Sequence, residues 1–159
     1  MSAGQPAPRP SHDLGLLAPK FADAVRAAIA ECEAAGLDAL VYEAFRTPEL
    51  QALYYAHGRT VIPPVRPVTN AASSLYSWHG FGLAVDVISV SMEWDAPDKW
   101  FTDVAAIFKR HSCKWGGDWT RKDLPHFQWA ACKPSPSARA REILAAEGVH
   151  GVWVAVGAT

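Results

Sequence analysis

Residues 77–90 read Ser-Trp-His-Gly-Phe-Gly-Leu-Ala-Val-Asp-Val-Ile-Ser-Val, a glycine-punctuated turn that runs into an apolar stretch carrying one aspartate. His79 and Asp86 are seven apart, a separation that shares one face of a helix but falls on opposite faces of a straight strand. Gly80 and Gly82 decide between these, because two glycines in three residues disfavour a helix and mark a turn or bulge. His79 is therefore expected on an irregular approach and Asp86 inside a strand from Leu83 to Val90, with the bend between them turning both toward one point. Ala84 shares the face of Asp86 and leaves room beside it. An aspartate among Leu83, Ala84, Val85, Val87 and Ile88 is costly to bury unless a cation or several donors compensate it. A metal ion would do so; a buried histidine merely hydrogen-bonded near a strand aspartate is the simpler alternative.

Downstream, Asp123-Leu-Pro-His-Phe-Gln128 is a second segment that sets a histidine beside a carboxylate. Pro125 drives Leu124 toward an extended conformation, so Asp123 and His126 belong to a loop entering a strand, not to a helix interior. His126 and Gln128 then share one strand face, and Phe127 and Trp129 pack from the other. Together the two segments hold two histidines and two aspartates, enough for three metal ligands and one free carboxylate that can act as a base. A surface aspartate and a core-edge histidine are the alternative for the second segment taken alone.

Outward from these motifs, Pro19 to Ala35 repeats apolar residues at three- and four-residue steps (Phe21, Val25, Ala28, Ile29, Cys32) and ends at Gly36, which predicts a helix. Leu37 to Phe45 alternates as a strand, with Leu40, Tyr42 and Ala44 on one face and Val41, Glu43 and Phe45 on the other. Thr47-Pro48 is a cap-then-proline helix start, and that helix should run through His57 to a stop at Gly58. Arg59 to Ser74, with Pro63, Pro64 and Pro67, has no sustained period and is expected to wrap over the surface or rim a site. Asp98 to Arg110 has helical spacing, Phe127 to Ala131 is a short strand, and Ser135 to Ala146 is a helix closed by Gly148. Helices and strands alternate without a βαβ rhythm, so an α+β domain with a small central antiparallel β-sheet flanked by helices is expected.

Size and charge narrow the function. A chain of 159 residues with 50% hydrophobic and 19% charged residues suits one compact domain, expected over 11–159, behind a flexible Pro- and Ala-rich arm over 1–10. The net charge of -1 gives no global basic field to attract nucleic acid or an anionic membrane. The first residues lack a charged-then-apolar leader, and no stretch approaches the roughly 18 apolar residues of a spanning helix, so a soluble cytoplasmic chain is expected. Three cysteines exclude a fully paired framework; Cys32, Cys113 and Cys132 read as reduced, with a Cys113–Cys132 pair or metal role as the lesser reading.

At the level of motifs the chain resembles the VanY-type D-alanyl-D-alanine carboxypeptidase family of zinc peptidases. Its pattern Ser-x-His-x-x-Gly-x-Ala-x-Asp is matched at Ser77, His79, Gly82, Ala84 and Asp86, and its acidic base followed three residues later by histidine at Asp123 and His126. Phe45-Arg46-Thr47-Pro48-Glu49-Leu50-Gln51 is similar to the family's Arg-Ser-x-x-x-Gln segment, with Thr47 in the serine position. Aspartate as the base and Trp115-Gly-Gly-Asp-Trp119 ahead of Pro125-His-Phe-Gln128 resemble the bacteriophage L-alanyl-D-glutamate endopeptidase branch in particular.

The resemblance implies a hedgehog/D-Ala-D-Ala peptidase-like fold, a Zn2+ ion held by His79, Asp86 and His126, Asp123 as general base and Arg46 as oxyanion stabiliser. It puts Ser77, Gln51, Asp118 and Trp115 in supporting or substrate-facing roles. A surface or structural ion pair of Arg46 with Glu43 or Glu49, and a plain turn role for Asp118, are the alternatives. Of Trp78, Trp115, Trp119 and Trp129, two are expected to wall a cleft; His12, His57, His111 and His150 have no partnered spacing and are expected to be bystanders. The implied activity is cleavage of the L-Ala–D-Glu bond of the peptidoglycan stem peptide by a monomeric phage or prophage lysis enzyme that reaches the wall after holin-type release. A D-Ala-D-Ala carboxypeptidase is the first alternative and needs a cation for a free carboxylate, for which Arg59, Arg66 and Lys122 are candidates. A non-catalytic zinc-stabilised peptidoglycan-binding domain is the second.

Overall fold

In the computed structural model, which describes Gly4 and residues 6–159, four α-helices and a four-stranded antiparallel sheet share one hydrophobic core. Of the arm expected over 1–10, residues 1–3 and 5 lie outside the described residues; the others form neither helix nor strand. The sheet order is Ala39–Glu43 (β1), Ala84–Ser89 (β2), His126–Trp129 (β4), Cys113–Trp115 (β3).

Helix α1 (Pro19–Ala34) begins on a proline already at helical φ and buries Phe21, Ala22, Val25, Ala28 and Cys32. Gly36, at φ 78°, turns the chain out of it. Strand β1 (Ala39–Glu43) is shorter than the alternation suggested, because the register slips between Val41 and Glu43. Past that irregularity the backbone leaves the sheet ladder: the Ala44 amide donates to Ser11 O (2.7 Å) and the Arg46 amide to His79 O (3.0 Å). Helix α2 (Pro48–Ala56) starts where expected, with Thr47 Oγ1 accepting from the Leu50 amide.

Strand β2 (Ala84–Ser89) is the buried strand that the opening stretch implied, and helix α3 (Asp98–Arg110) packs Trp100, Phe101, Val104, Ile107 and Phe108 inward. Strand β3 (Cys113–Trp115) was not legible as a strand, since three residues are too few to show alternation; it exists because it pairs with Trp129, Gln128 and Phe127 of β4 (His126–Trp129). Strand β4 begins one residue before the expected Phe127. That residue matters, because it brings His126 into the ladder directly opposite Asp86, while Glu43 of β1 faces Asp86 from the other side.

Helix α4 spans Ala138–Ala155, longer than the expected 135–146. Gly148 does break it, at φ 75° and ψ -175°, yet the helix resumes because its second half has a partner. Trp153 Nε1 donates to Phe81 O and Trp129 Nε1 to Val156 O, both at 2.7 Å, and Val152 is buried. The C-terminal segment thereby braces the turn that carries His79. Among the described residues no helix is long and apolar enough to cross a membrane.

Candidate active site

Residues 78–81 form a single 3-10 turn, the turn that the two glycines marked, and Gly82 at φ 68° ends it. A side chain at Gly80 would collide with Ser74 O, so this glycine permits close backbone approach while Gly82 supplies the left-handed exit. The turn delivers His79 to the end of β2, whose third residue is Asp86. His126 enters from β4 across the ladder.

Hydrogen bonds fix the state of both imidazoles. His79 Nδ1 lies 3.0 Å from Ala44 O, and a carbonyl only accepts, so Nδ1 carries the proton and Nε2 faces the site. Gln128 Nε2 donates to Lys133 O (2.7 Å), which orients its amide so that Oε1 accepts from His126 Nε2 (2.8 Å). His126 Nδ1 is thereby turned inward as a lone pair. Asp86 Oδ1 stands 3.3 Å from His79 Nε2 and 3.8 Å from His126 Nδ1, and the ligand atoms of all three residues lie within 4.8 Å of one another. Three acceptors converge with no donor among them, an arrangement that asks for a cation.

Ligand atoms roughly 2 Å from a tetrahedral ion stand a little over 3 Å apart, so two nitrogens and one carboxylate oxygen here suit zinc with one position open. Burial alone would raise the Asp86 carboxyl, but in the metal-free fold protonated His79 and His126, with Arg46, outweigh it and hold the group well below the usual carboxylate range. Burial, then His79, pushes His126 down to about 4, which keeps its lone pair available.

Asp123 sits at the mouth of this cluster, its Oδ2 4.0 Å from His126 Nδ1 and its side chain half exposed. Partial loss of water in the cleft, followed by the Asp86 charge, pushes its carboxyl up to about 6. The Trp-Gly-Gly segment holds its backbone. Trp115 Nε1 donates to Leu124 O (2.7 Å), the Asp123 amide donates to Gly116 O (3.0 Å), and a side chain at Gly116 would strike Asp123 O. Asp118 has no such part: it pairs with Lys109 of α3 at 2.7 Å and lies outside the cavity lining, so the loop-fixing role considered for it passes to Trp115 and Gly116.

Arg46 is buried, ion-paired and lines the cavity. Its guanidinium is paired with Glu43 and donates to Gln51 Oε1 (2.9 Å), while Nη2 stays 3.6 Å from Asp86 Oδ2 and the side chain lines the cavity. Gln51 Nε2 in turn donates to Ala71 O, tying the 59–74 loop to this network. The pair with Glu43 is not a surface one: Glu43 is 1% exposed and also accepts from Tyr54 OH at 2.9 Å. Glu43 was expected only as one of two alternative partners of Arg46, and Gln128 was left without a task. A carboxylate alternating with Val41 was the available signal for the first, and a glutamine sharing the face of His126 for the second.

These groups floor a cavity of about 800 Å3. Ser77 lines it, as do Trp78 and Trp119, whereas Trp115 and Trp129 pack behind. Trp94 and His57 also line it. Of the cations considered for carboxylate recognition, Lys122 faces the cavity, and Arg59, stacked on Tyr55, and Arg66 do not. Cys32, Cys113 and Cys132 are unpaired and buried, their thiols raised to between about 11 and about 12 by that burial.

Comparison with known proteins agrees with this geometry. Residues 70–129, which span His79, Asp86, Asp123 and His126, match the D-alanyl-D-alanine carboxypeptidase family of M15 peptidases. Over 139 residues the chain is 36% identical to the peptidoglycan L-alanyl-D-glutamate endopeptidase CwlK of Bacillus subtilis (strain 168), covering 80% of this chain and 79% of that protein. The chain belongs to the M15 peptidase family. Among solved structures, the peptidase is similar to the L-Ala D-Glu endopeptidase ChiX of Serratia marcescens, with a TM-score of 0.54 and 26% identity over 77% of this chain and 87% of that one. It shares its fold with VanYB, described in complex with D-alanine-D-alanine, at a TM-score of 0.51 and 15% identity over 83% and 78% of the two chains.

Proposed function

We propose that the protein is a zinc-dependent peptidoglycan endopeptidase that hydrolyses the L-Ala–D-Glu bond of the stem peptide. The observation that carries this reading is the convergence of three proton-free acceptors, His79 Nε2, Asp86 Oδ1 and His126 Nδ1, beside a fourth carboxylate that is left free. The choice of bond is supported by the similarity to CwlK and to ChiX.

Zinc bound by His79, Asp86 and His126 supplies Lewis acidity and lowers the pKa of water within the cleft. Asp123, at the mouth, accepts the proton of the attacking water and hands it to the departing amine nitrogen of D-Glu as the C–N bond breaks. The buried Arg46 guanidinium, pinned by Glu43 and Gln51, presents fixed positive charge to the oxygen of the carbonyl under attack. Ser77 contributes to the wall on which the peptide lies. Every one of these groups comes from a single chain, and we assign residues 11–159 as the catalytic unit of a monomer, which sedimentation equilibrium would check.

The decisive experiment incubates purified stem peptide with the protein, with and without a chelator, and identifies products by mass spectrometry. Metal-dependent release of L-Ala is the expected result. No cleavage, or an Asp123→Ala variant as active as the parent, would end the catalytic reading. The resemblance to phage enzymes supports a lysis role as its setting; co-expression with a holin should then lyse cells, and expression alone should not.

A further inference from the structure

Three positively charged side chains other than histidine line the cavity: Arg46, Arg121 and Lys122. Arg46 is pinned by Glu43 and Gln51 and is assigned above to the carbonyl under attack. Arg121 and Lys122 are exposed, make no ion pair or hydrogen bond among the described residues, and immediately precede Asp123 in the chain. The cavity lining contains two carboxylates, Asp86 and Asp123, and neither is paired with these cations. Two unpaired cations are thus held beside the carboxylate that passes a proton to the leaving nitrogen.

The substrate has a matching group. In the stem peptide D-Glu continues the chain through its γ-carboxyl, so its α-carboxylate is free and sits on the carbon bonded to the scissile nitrogen. We propose that Arg121 and Lys122 form the subsite for this carboxylate and make the enzyme selective for stems in which it is not amidated. The inference rests on the endopeptidase reading above and deepens it by naming the feature recognised.

Position supports the assignment. Because Asp123 must reach the departing nitrogen, the D-Glu side of the bond lies toward the β3–β4 loop that carries residues 121–123. The strand order β1-β2-β4-β3 puts the other wall on β1, whose Tyr42 meets Trp94 of the turn after β2 edge to face at 4.8 Å; among the described residues this aromatic surface carries no unpaired carboxylate or lysine. The acyl side of the bond, L-Ala and whatever precedes it, faces that wall. A charged group on the leaving side therefore meets cations, and an amide in its place forgoes that attraction.

Two stem peptides identical except for an α-carboxylate or an α-carboxamide on D-Glu provide the test. For the zinc-loaded enzyme kcat/KM should be at least about tenfold higher on the acid, mainly through KM. In the Arg121→Ala/Lys122→Ala variant the acid-to-amide ratio should fall toward one, and Arg121→Lys/Lys122→Arg should restore it. Equal rates on both peptides by the parent, or a preference that survives the double alanine variant, would overturn the subsite. Calorimetric binding of both peptides separates this from the function itself: an enzyme that binds the acid preferentially through these cations but cuts neither peptide overturns the endopeptidase reading and sustains the subsite, whereas cleavage without discrimination does the reverse.

Discussion

On the floor of the cavity the two imidazoles and Arg46 are held from behind, whereas on its rim Asp123, Arg121 and Lys122 are held only through their backbone. His79 is fixed by Ala44 O, His126 by Gln128, and Arg46 by Glu43 and Gln51, all of them buried. Asp123, Arg121 and Lys122 share a loop whose main chain is anchored by Trp115 and Gly116, but their side chains are exposed and have no hydrogen bond among the described residues. The difference follows from the tasks. A metal site needs its ligands aimed before the ion arrives, since an unaimed lone pair loses affinity. A base must exchange protons and a recognition cation must release product, so tying down either would defeat it.

Removing the metal should have the largest effect, because it leaves the floor with converging acceptors and nothing between them. Activity should vanish, and saturating zinc should raise the melting temperature by about 10 °C over the chelated protein, as expected for about 4 kcal/mol of linkage. Identical melting curves would remove Asp86 from the ligand set. Asp123→Asn attacks the rim alone. We expect a loss of roughly 10²- to 10⁴-fold in kcat with zinc stoichiometry and melting temperature unaltered, and loss of bound zinc would show that Asp123 belongs to the floor.

Gln128→Leu tests the floor from behind, where it frees the His126 ring without touching a ligand. Zinc affinity should drop about 10- to 100-fold in a chelator competition assay. A smaller effect comes from protons. Asp123 in the metal-free fold has its carboxyl raised to about 6, so the native protein holds that proton more tightly than the unfolded chain does. Its stabilising contribution is complete below the unfolded value near 4 and is lost as pH rises to about 6. Urea denaturation across this window should show parent and Asp123→Asn diverging, while a bound cation, which favours the carboxylate, should shift the divergence to lower pH. Last, Asp118→Asn removes an exposed pair with Lys109 and should change stability by no more than about 0.5 kcal/mol and activity not at all. A large activity loss would return Asp118 to the site.

Much of this architecture could be read in advance where the signal is local. Helix α3 obeys a clean apolar period over Asp98–Arg110, and α2 follows from Thr47-Pro48. Residues whose roles depend on a partner far away in sequence were harder to read. Glu43 and Glu49 were equal candidates to pair with Arg46 until the fold buried Glu43 against Arg46 and Tyr54, β3 is a strand only because β4 pairs with it, and α4 outlasts Gly148 only because Trp153 finds Phe81. Asp118 stood in a motif beside the site, yet the 3-10 turn at 116–118 aims it at α3.

By itself the sequence determined which atoms are available: two imidazoles and two aspartates in two short motifs, a glycine exit at Gly82 and an extended entry at Pro125. Those are consequences of covalent structure and backbone sterics, which act within a few residues. The tertiary structure decided what the atoms do. The β1–β2–β4 register sets Glu43, Asp86 and His126 abreast, distant carbonyls choose the imidazole tautomers, and the placement of the 116–123 loop leaves Asp123 open beside two unpaired cations. Hydrogen-bond direction and charge proximity are relations between chain segments, and they come into being only when those segments meet.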